Sequence, residues 1–187
     1  GVLQIVGVSP GVQSYQITIT KPGYSTDRTY PPGGAGNPNP VKPDATVATG
    51  ALTDITFAID AVSTVNVFAS TRTCQPLGGV PVTFTGSKLI GTGPDVVKVV
   101  TSTVTSATGT ASVTGIEWDT YAVDFSTTSQ VFVGSAPILP FAVNPSSLLP
   151  LQLSFAPTSP RALAVHVRDA ATTVPISNAS VQLSTLP

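Results

Sequence analysis

The sequence predicts an all-β chain of tandem Greek-key β-sandwiches, on three observations. Apolar residues alternate with Thr, Ser and other polar residues at period two in one segment after another, the pattern of strands with one buried face. No window places apolar residues at i, i+3, i+4 and i+7 behind a cap, and 18 prolines and 16 glycines interrupt helical runs. The third observation is a repeat. Ile55-Thr56-Phe57-Ala58 returns as Leu153-Ser154-Phe155-Ala156, and Val65-Asn66-Val67 returns as Leu163-Ala164-Val165. Pro76-Leu77 with Val80, Val82 and Phe84 returns as Pro175-Ile176 with Ala179, Val181 and Leu183. Gly1–Val8 with Tyr15, Ile17 and Ile19 is echoed by Gly109–Ile116 with Tyr121, Val123 and Phe125. The period is about 100 residues, the size of one small β domain rather than of a solenoid unit.

Taken in order, the alternating runs between Gly, Pro and Asp place strands at Val2–Val6, Tyr15–Thr20, Ala45–Thr49, Leu52–Ile59 and Thr64–Ala69. Further strands follow at Val80–Thr85, Val97–Thr105, Thr110–Ile116, Tyr121–Phe125 and Gln130–Val133. Leu149–Phe155, Leu163–Arg168 and Ala179–Leu183 complete the set. Pro31–Pro40, rich in Pro, Gly and Asn, is too constrained to join a ladder and reads as a surface loop. The repeat divides the chain into residues 1–62, the later half of one sandwich; 63–158, a complete sandwich; and 159–187, the opening half of a third. Short junctions at Asp60–Ser63 and Pro157–Pro160 imply closely coupled domains. The expected core of the complete sandwich is Val65, Val67, Val82, Phe84, Val113, Ile116, Tyr121, Val123, Leu153 and Phe155. Tyr15 and Tyr121 sit at matching positions, where a buried ring commonly hydrogen-bonds its hydroxyl to a nearby loop.

Charged residues are 9% of the chain and the net charge is −1, which leaves no field to attract nucleic acid or an anionic membrane. Ser and Thr, about a quarter of the residues, replace charge as polar filler, and weak mutual repulsion favours association. No stretch resembles a signal peptide or an 18-residue apolar span. Met is absent, so the chain is expected to be processed or excised. The single Cys74 lies in a polar loop and reads as a spare thiol.

Sites of chemistry are few. His166, the one histidine, alternates with Val165 and Val167 and is expected on the outer face of a sheet, a solvated residue rather than a catalytic base. Glu117-Trp118-Asp119 sets two carboxylates around the only tryptophan. It aligns with Ser9-Pro10-Gly11 and reads as a turn, with Trp118 the best candidate for a glycan contact. The scattered acidic residues form no calcium loop and no phosphate-binding Gly-rich loop is present, so no metal or cofactor is expected. Asn178-Ala179-Ser180 matches the N-glycosylation pattern.

The segments Leu163–Asp169 and Val174–Val181 resemble the opening strands of carboxypeptidase-regulatory-like and Cna-B-like domains of secreted bacterial proteins. Gly1–Val8, Tyr15–Ile19 and Lys21-Pro22-Gly23-Tyr24 resemble their later strands. The resemblance implies Ig-like or transthyretin-like sandwiches in series, in surface stalks, adhesins or pilus-related proteins. Members often carry a Lys–Asn or Lys–Asp isopeptide bond. This chain departs from that pattern: Val65-Asn66-Val67-Phe68 holds no lysine, and Lys88 and Lys98 lie on later segments.

The reading favoured by the sequence is a non-enzymatic, extracellular structural protein in a bacterial surface fibre, stalk or pilus-like filament. The alternatives are a carbohydrate- or host-surface-binding adhesin module and an accessory domain of a secreted hydrolase. The expected partner is a second copy of the chain, docking end to end through Val165, Val167, Val181 and Leu183 by strand complementation.

Overall fold

Fourteen strands and no helix make up the regular structure of the described residues, which in this computed structural model are 1–127, 129–158, 163 and 165–184. They form two compact units, Gly1–Pro157 and Thr158–Pro187. The strands are β1 (Gly11–Tyr15), β2 (Thr18–Ile19), β3 (Asp27–Arg28), β4 (Ala45–Val47), β5 (Ser63–Thr71), β6 (Pro81–Gly86) and β7 (Leu89–Gly91). There follow β8 (Val96–Val97), β9 (Val100–Val104), β10 (Thr110–Ile116), β11 (Asp119–Phe125), β12 (Gln130–Ala136), β13 (Phe141–Val143) and β14 (Leu148–Pro157).

Two four-stranded sheets, in the orders β10-β5-β14-β12 and β13-β11-β6-β9, draw all their strands from Ser63 to Pro157. Their inner faces meet in one apolar cluster. Strand β5 contributes Val65, Val67 and Ala69, β6 contributes Val82 and Phe84, and β14 contributes Leu151, Leu153 and Phe155. The alternation read in the sequence places these residues inward, because successive side chains of a strand point to opposite faces. Burying each large side chain stabilises the fold by about 1.5–3 kcal/mol. Phe84 meets Tyr121 and Phe141 edge-on at 6.5 and 6.3 Å, and Phe125 stacks on Phe132 at 4.7 Å. Most pairings are antiparallel, but β14 runs parallel to β5 from Leu148↔Thr64 to Phe155↔Thr71. Gly109 immediately precedes β10 at φ +73°, and a Cβ there would lie 2.4 Å from the Ala69 carbonyl oxygen, so only glycine fits.

Outside the sandwich, pairing is sparse. Two-stranded ribbons β1-β4 and β2-β3 occupy the first 47 residues, and β7-β8 projects from the sandwich as a small hairpin. The Pro31–Pro40 loop lies against that hairpin. Asn37 Nδ2 donates to the Ile90 carbonyl (2.9 Å), the Val41 N–H donates to the same carbonyl (2.9 Å), and the Thr92 N–H donates to the Asn39 carbonyl (3.0 Å).

Four expected strands are not strands. Val2–Val6 and Leu52–Ile59 run as irregular backbone, as do the described residues of Leu163–Arg168 and Ala179–Leu183, apart from a lone bridge at Arg168↔Pro175. In each case the alternation is present and the partner strand is not, and a strand without a neighbour has no ladder to hold it. His166 is accordingly exposed in irregular backbone rather than on a sheet face. Two other runs break where they change partner. Tyr15 faces Ala45 on β4 while Thr18 faces Arg28 on β3. Val97 faces β7 while Val100 faces β6. Nine of the ten expected core residues are buried, and Val123 packs half-buried against the cluster. The short β13, between Pro140 and Asn144, was not foreseen, because three residues are too few to display alternation.

The second unit, described by itself, is a turn. Asp169 Oδ1 accepts from the N–H groups of Ala171 (3.0 Å) and Thr172 (2.7 Å) and from the Thr172 hydroxyl (2.8 Å). The Thr172 N–H and hydroxyl, then the Ala171 N–H, hold the Asp169 carboxyl below its usual range.

Candidate functional site

The β7-β8 hairpin brings Lys88 and Lys98 together, with the Lys98 N–H donating to the Lys88 carbonyl at 2.7 Å. Both side chains turn to the connection between β10 and β11, where Glu117 is buried. Glu117 Oε1 accepts from Lys98 Nζ at 2.7 Å and Lys88 Nζ at 3.2 Å. Lys88 Nζ also donates to the Trp118 carbonyl and stands 3.2 Å from the centroid of the Trp118 ring. Asp119, likewise buried, accepts from the Ser87 hydroxyl (2.6 Å) and the Lys88 N–H (3.0 Å). Glu117 and Trp118 thus form the short connection from β10 to β11, Asp119 is already the first residue of β11, and the two carboxylates anchor the hairpin.

A second charged cluster comes from the first 60 residues. Lys42 Nζ lies 2.6 Å from Asp27 Oδ2 and 4.5 Å from the Phe57 ring centroid, and the Ala58 N–H donates to the same Asp27 oxygen at 3.2 Å. Arg28 stands over the Tyr30 ring at 4.7 Å. Burial alone would raise the Asp27 pKa. The hydrogen bonds from Lys42 and Ala58 and the charges of Lys42 and Lys98 outweigh it and hold the carboxyl below its ordinary range.

Both clusters line one open cleft of about 320 Å³, with Tyr30 and Trp118 among its walls. Arg28, Lys42, Lys88 and Lys98, four of the chain's eight basic residues, line it with two carboxylates, Asp27 and Glu117. The excess of cations suits an anionic group. Both carboxylates are ion-paired, so neither is poised as a general acid or base. Below Glu117, the fully buried Tyr121 hydroxyl donates to the Glu117 carbonyl at 2.8 Å. Burial, then the charges of Asp119 and Glu117, push its pKa well above that of free tyrosine, so it stays a donor.

Trp118, 37% exposed, therefore sits on the cleft wall with Lys88 over its ring. Val165, Val181 and Leu183 are exposed and Val167 is half-buried, all in the second unit. Cys74 is exposed in a turn whose Cys74 N–H donates to the Thr71 carbonyl at 2.9 Å. Among the described residues no group of three or more His, Cys, Asp or Glu could hold a metal, and no helix is long and apolar enough to cross a membrane. Asp27 and Lys42 escaped sequence reasoning because their pairing joins positions 15 residues apart across irregular backbone. Lys88 and Lys98 had a usable signal: they flank the turn Gly91-Thr92-Gly93-Pro94, as residues facing each other across a hairpin must.

No protein-family profile matches the sequence, and no curated protein matches it. Among solved structures, the full-length major pilin SpaD from Corynebacterium diphtheriae is similar at 14% identity with a TM-score of 0.39. The similarity covers 51% of this chain and 30% of that pilin.

Proposed function

We propose that the chain is a structural module of an extracellular bacterial fibre, stalk or pilus-like filament, built of Ig-like or transthyretin-like sandwiches divided near residues 62 and 158. Copies associate end to end through the apolar residues outside the closed sandwich. The observation that carries the reading is where apolar surface is left open. The sandwich buries Val65, Val67, Leu151, Leu153 and Phe155 almost completely. Val2, Leu3, Ile5 and Val6 near one terminus, and Val165, Val181 and Leu183 near the other, remain exposed by half or more. Burying such surface returns about 25 cal/mol per Å², and segments already alternating at period two gain main-chain hydrogen bonds on docking to a strand edge. Head and tail differ, so the contact is heterologous and propagates. Sedimentation of the full chain, of a chain ending at Pro160, and of the double variant Val181→Asp/Leu183→Asp tests it. Concentration-dependent association is expected for the first alone. A monomeric full chain at high concentration overturns the reading.

A second reading is favoured by the cleft: a glycan-binding module in which Trp118 and the excess of cations over carboxylates receive an acidic saccharide. Specific binding on a glycan array, lost in Trp118→Ala, is the expected result, and an array without a hit removes it.

A further inference from the structure

The first and last strands of the sandwich, β5 and β14, are neighbours in the middle of one sheet and run parallel. Their register is unbroken over eight pairs, Leu148↔Thr64 through Phe155↔Thr71. This arrangement fixes how tension enters the domain. The chain arrives at Ser63, the start of β5, and leaves at Pro157, the end of β14. In a parallel pair those two points lie at opposite ends of the ribbon. Pulling them apart slides one strand along the other and loads every inter-strand hydrogen bond at once. Had the two strands been antiparallel, both points would lie at one end, and the same pull would open the bonds one after another.

Side-chain packing adds to the resistance. Val65, Val67 and Ala69 from β5, and Leu151, Leu153 and Phe155 from β14, are all almost fully buried in the shared core. A slide of one residue, about 3.3 Å, takes each of them out of its place before any new register can form, since pairing repeats only every second residue. Neither strand can swing aside, because β10 pairs with the free side of β5 and β12 with that of β14. The described pairings outside the sandwich are shorter. Beyond the sandwich, β1-β4 and β2-β3 have two register pairs each, and the described residues of the second unit have one bridge. These yield first and pass the tension to Ser63 and Pro157.

We propose that the β5-β14 ribbon is a shear clamp that makes this sandwich a tension-bearing unit, strongest against force applied through the chain's own termini. Its use in a stalk rests on the fibre reading above; the mechanics do not.

Single-molecule force spectroscopy on the full chain tests it with two attachments. In the first, the protein is held by its N- and C-termini. In the second it is held by the C-terminus and the native Cys74 thiol, exposed just beyond the end of β5. That end lies beside the exit of β14, where the Arg72 N–H donates to the Phe155 carbonyl at 3.0 Å. The second pull therefore peels Phe155↔Thr71 apart first and unzips the ribbon. The terminal pull is expected to give one dominant rupture that releases about 300 Å of chain, the extended length of the sandwich less its folded span. Its force should be several-fold higher than in the Cys74 pull, because bonds loaded together share the force and bonds loaded in series fail singly. Equal forces, a weaker terminal rupture, or no event of that length overturns the clamp. None of these outcomes bears on self-association, which sedimentation reads separately.

Discussion

Tyr15 and Tyr121 occupy the same position of the repeat in two differently finished regions. Each hydroxyl donates to a carbonyl at the equivalent upstream residue, Tyr15 to Ser9 at 2.7 Å and Tyr121 to Glu117 at 2.8 Å. There the likeness ends. Tyr121 is fully buried, and its strand pairs continuously with β6 and with β13. Tyr15 is half-buried, and β1 meets β4 at Gly11↔Val47 and Tyr15↔Ala45 with an irregularity between them. The later parts of the repeat diverge in the same way. Leu153 and Phe155 are buried in β14, between β5 and β12, whereas Ile55 and Phe57 are half-buried in irregular backbone. A local hydrogen bond four to six residues long survives in both copies because its partners are close in sequence. A ladder survives in one, because its partners come from elsewhere in the fold.

The largest effect should come from the pair Phe155→Ala and Phe57→Ala. Phe155 touches both Phe125 and Phe132 edge-on inside a closed core, and its loss should cost about 3–5 kcal/mol. Phe57 is half-exposed and carries Lys42 over its ring, so its loss should cost about 1 kcal/mol. Urea melts of both variants read the difference. Equal losses would mean that residues 1–59 are as well closed as the sandwich, and the contrast would fall.

The same contrast sets what could be read from the sequence. Where alternating runs come with all their partners, between Ser63 and Pro157, the longer strands and nine of the fourteen core residues were legible from period and repeat alone, while the short β7 and β13 were not. Where partners are missing, at Val2–Val6 and Leu52–Ile59, the same period gave strands that do not form, because periodicity records a face and not a neighbour. The parallel pairing of β5 with β14 was invisible for a related reason: register between strands some 80 residues apart leaves no local mark. The cleft was half legible. Trp118 stood out as the single tryptophan, but the partners of Glu117 and Asp27 depend on how a hairpin and a loop come to lie together.

A smaller effect separates the two tyrosines. Tyr121→Phe leaves the Glu117 carbonyl without its donor inside the core and should cost about 1–2 kcal/mol. Tyr15→Phe removes a bond that water can replace, and a change within about 0.5 kcal/mol is expected. If Tyr15→Phe proved as costly, the first copy of the repeat would be more tightly closed than its exposure suggests.

The smallest effect concerns how the first 60 residues are held. Asp27 ties Lys42 and the Ala58 N–H together, and the pairing holds its pKa below the ordinary carboxylate value. A carboxyl whose pKa is lower folded than unfolded adds stability above its unfolded value, near 3.9. That contribution fades as pH falls through the folded value. The pair is partly solvated, so the contribution should be at most about 1 kcal/mol. Acidification from pH 5 to pH 3 should therefore loosen this region while the sandwich, closed by apolar contacts, stays intact. Amide exchange, corrected for its intrinsic pH dependence, is the measurement. Ala58 should lose protection across that range while Leu153 and Phe155 keep theirs. Asp27→Asn should lower the protection of Ala58 at pH 5 and flatten its further loss on acidification. Parallel loss of protection at Ala58 and Phe155 would show instead that the two regions unfold as one.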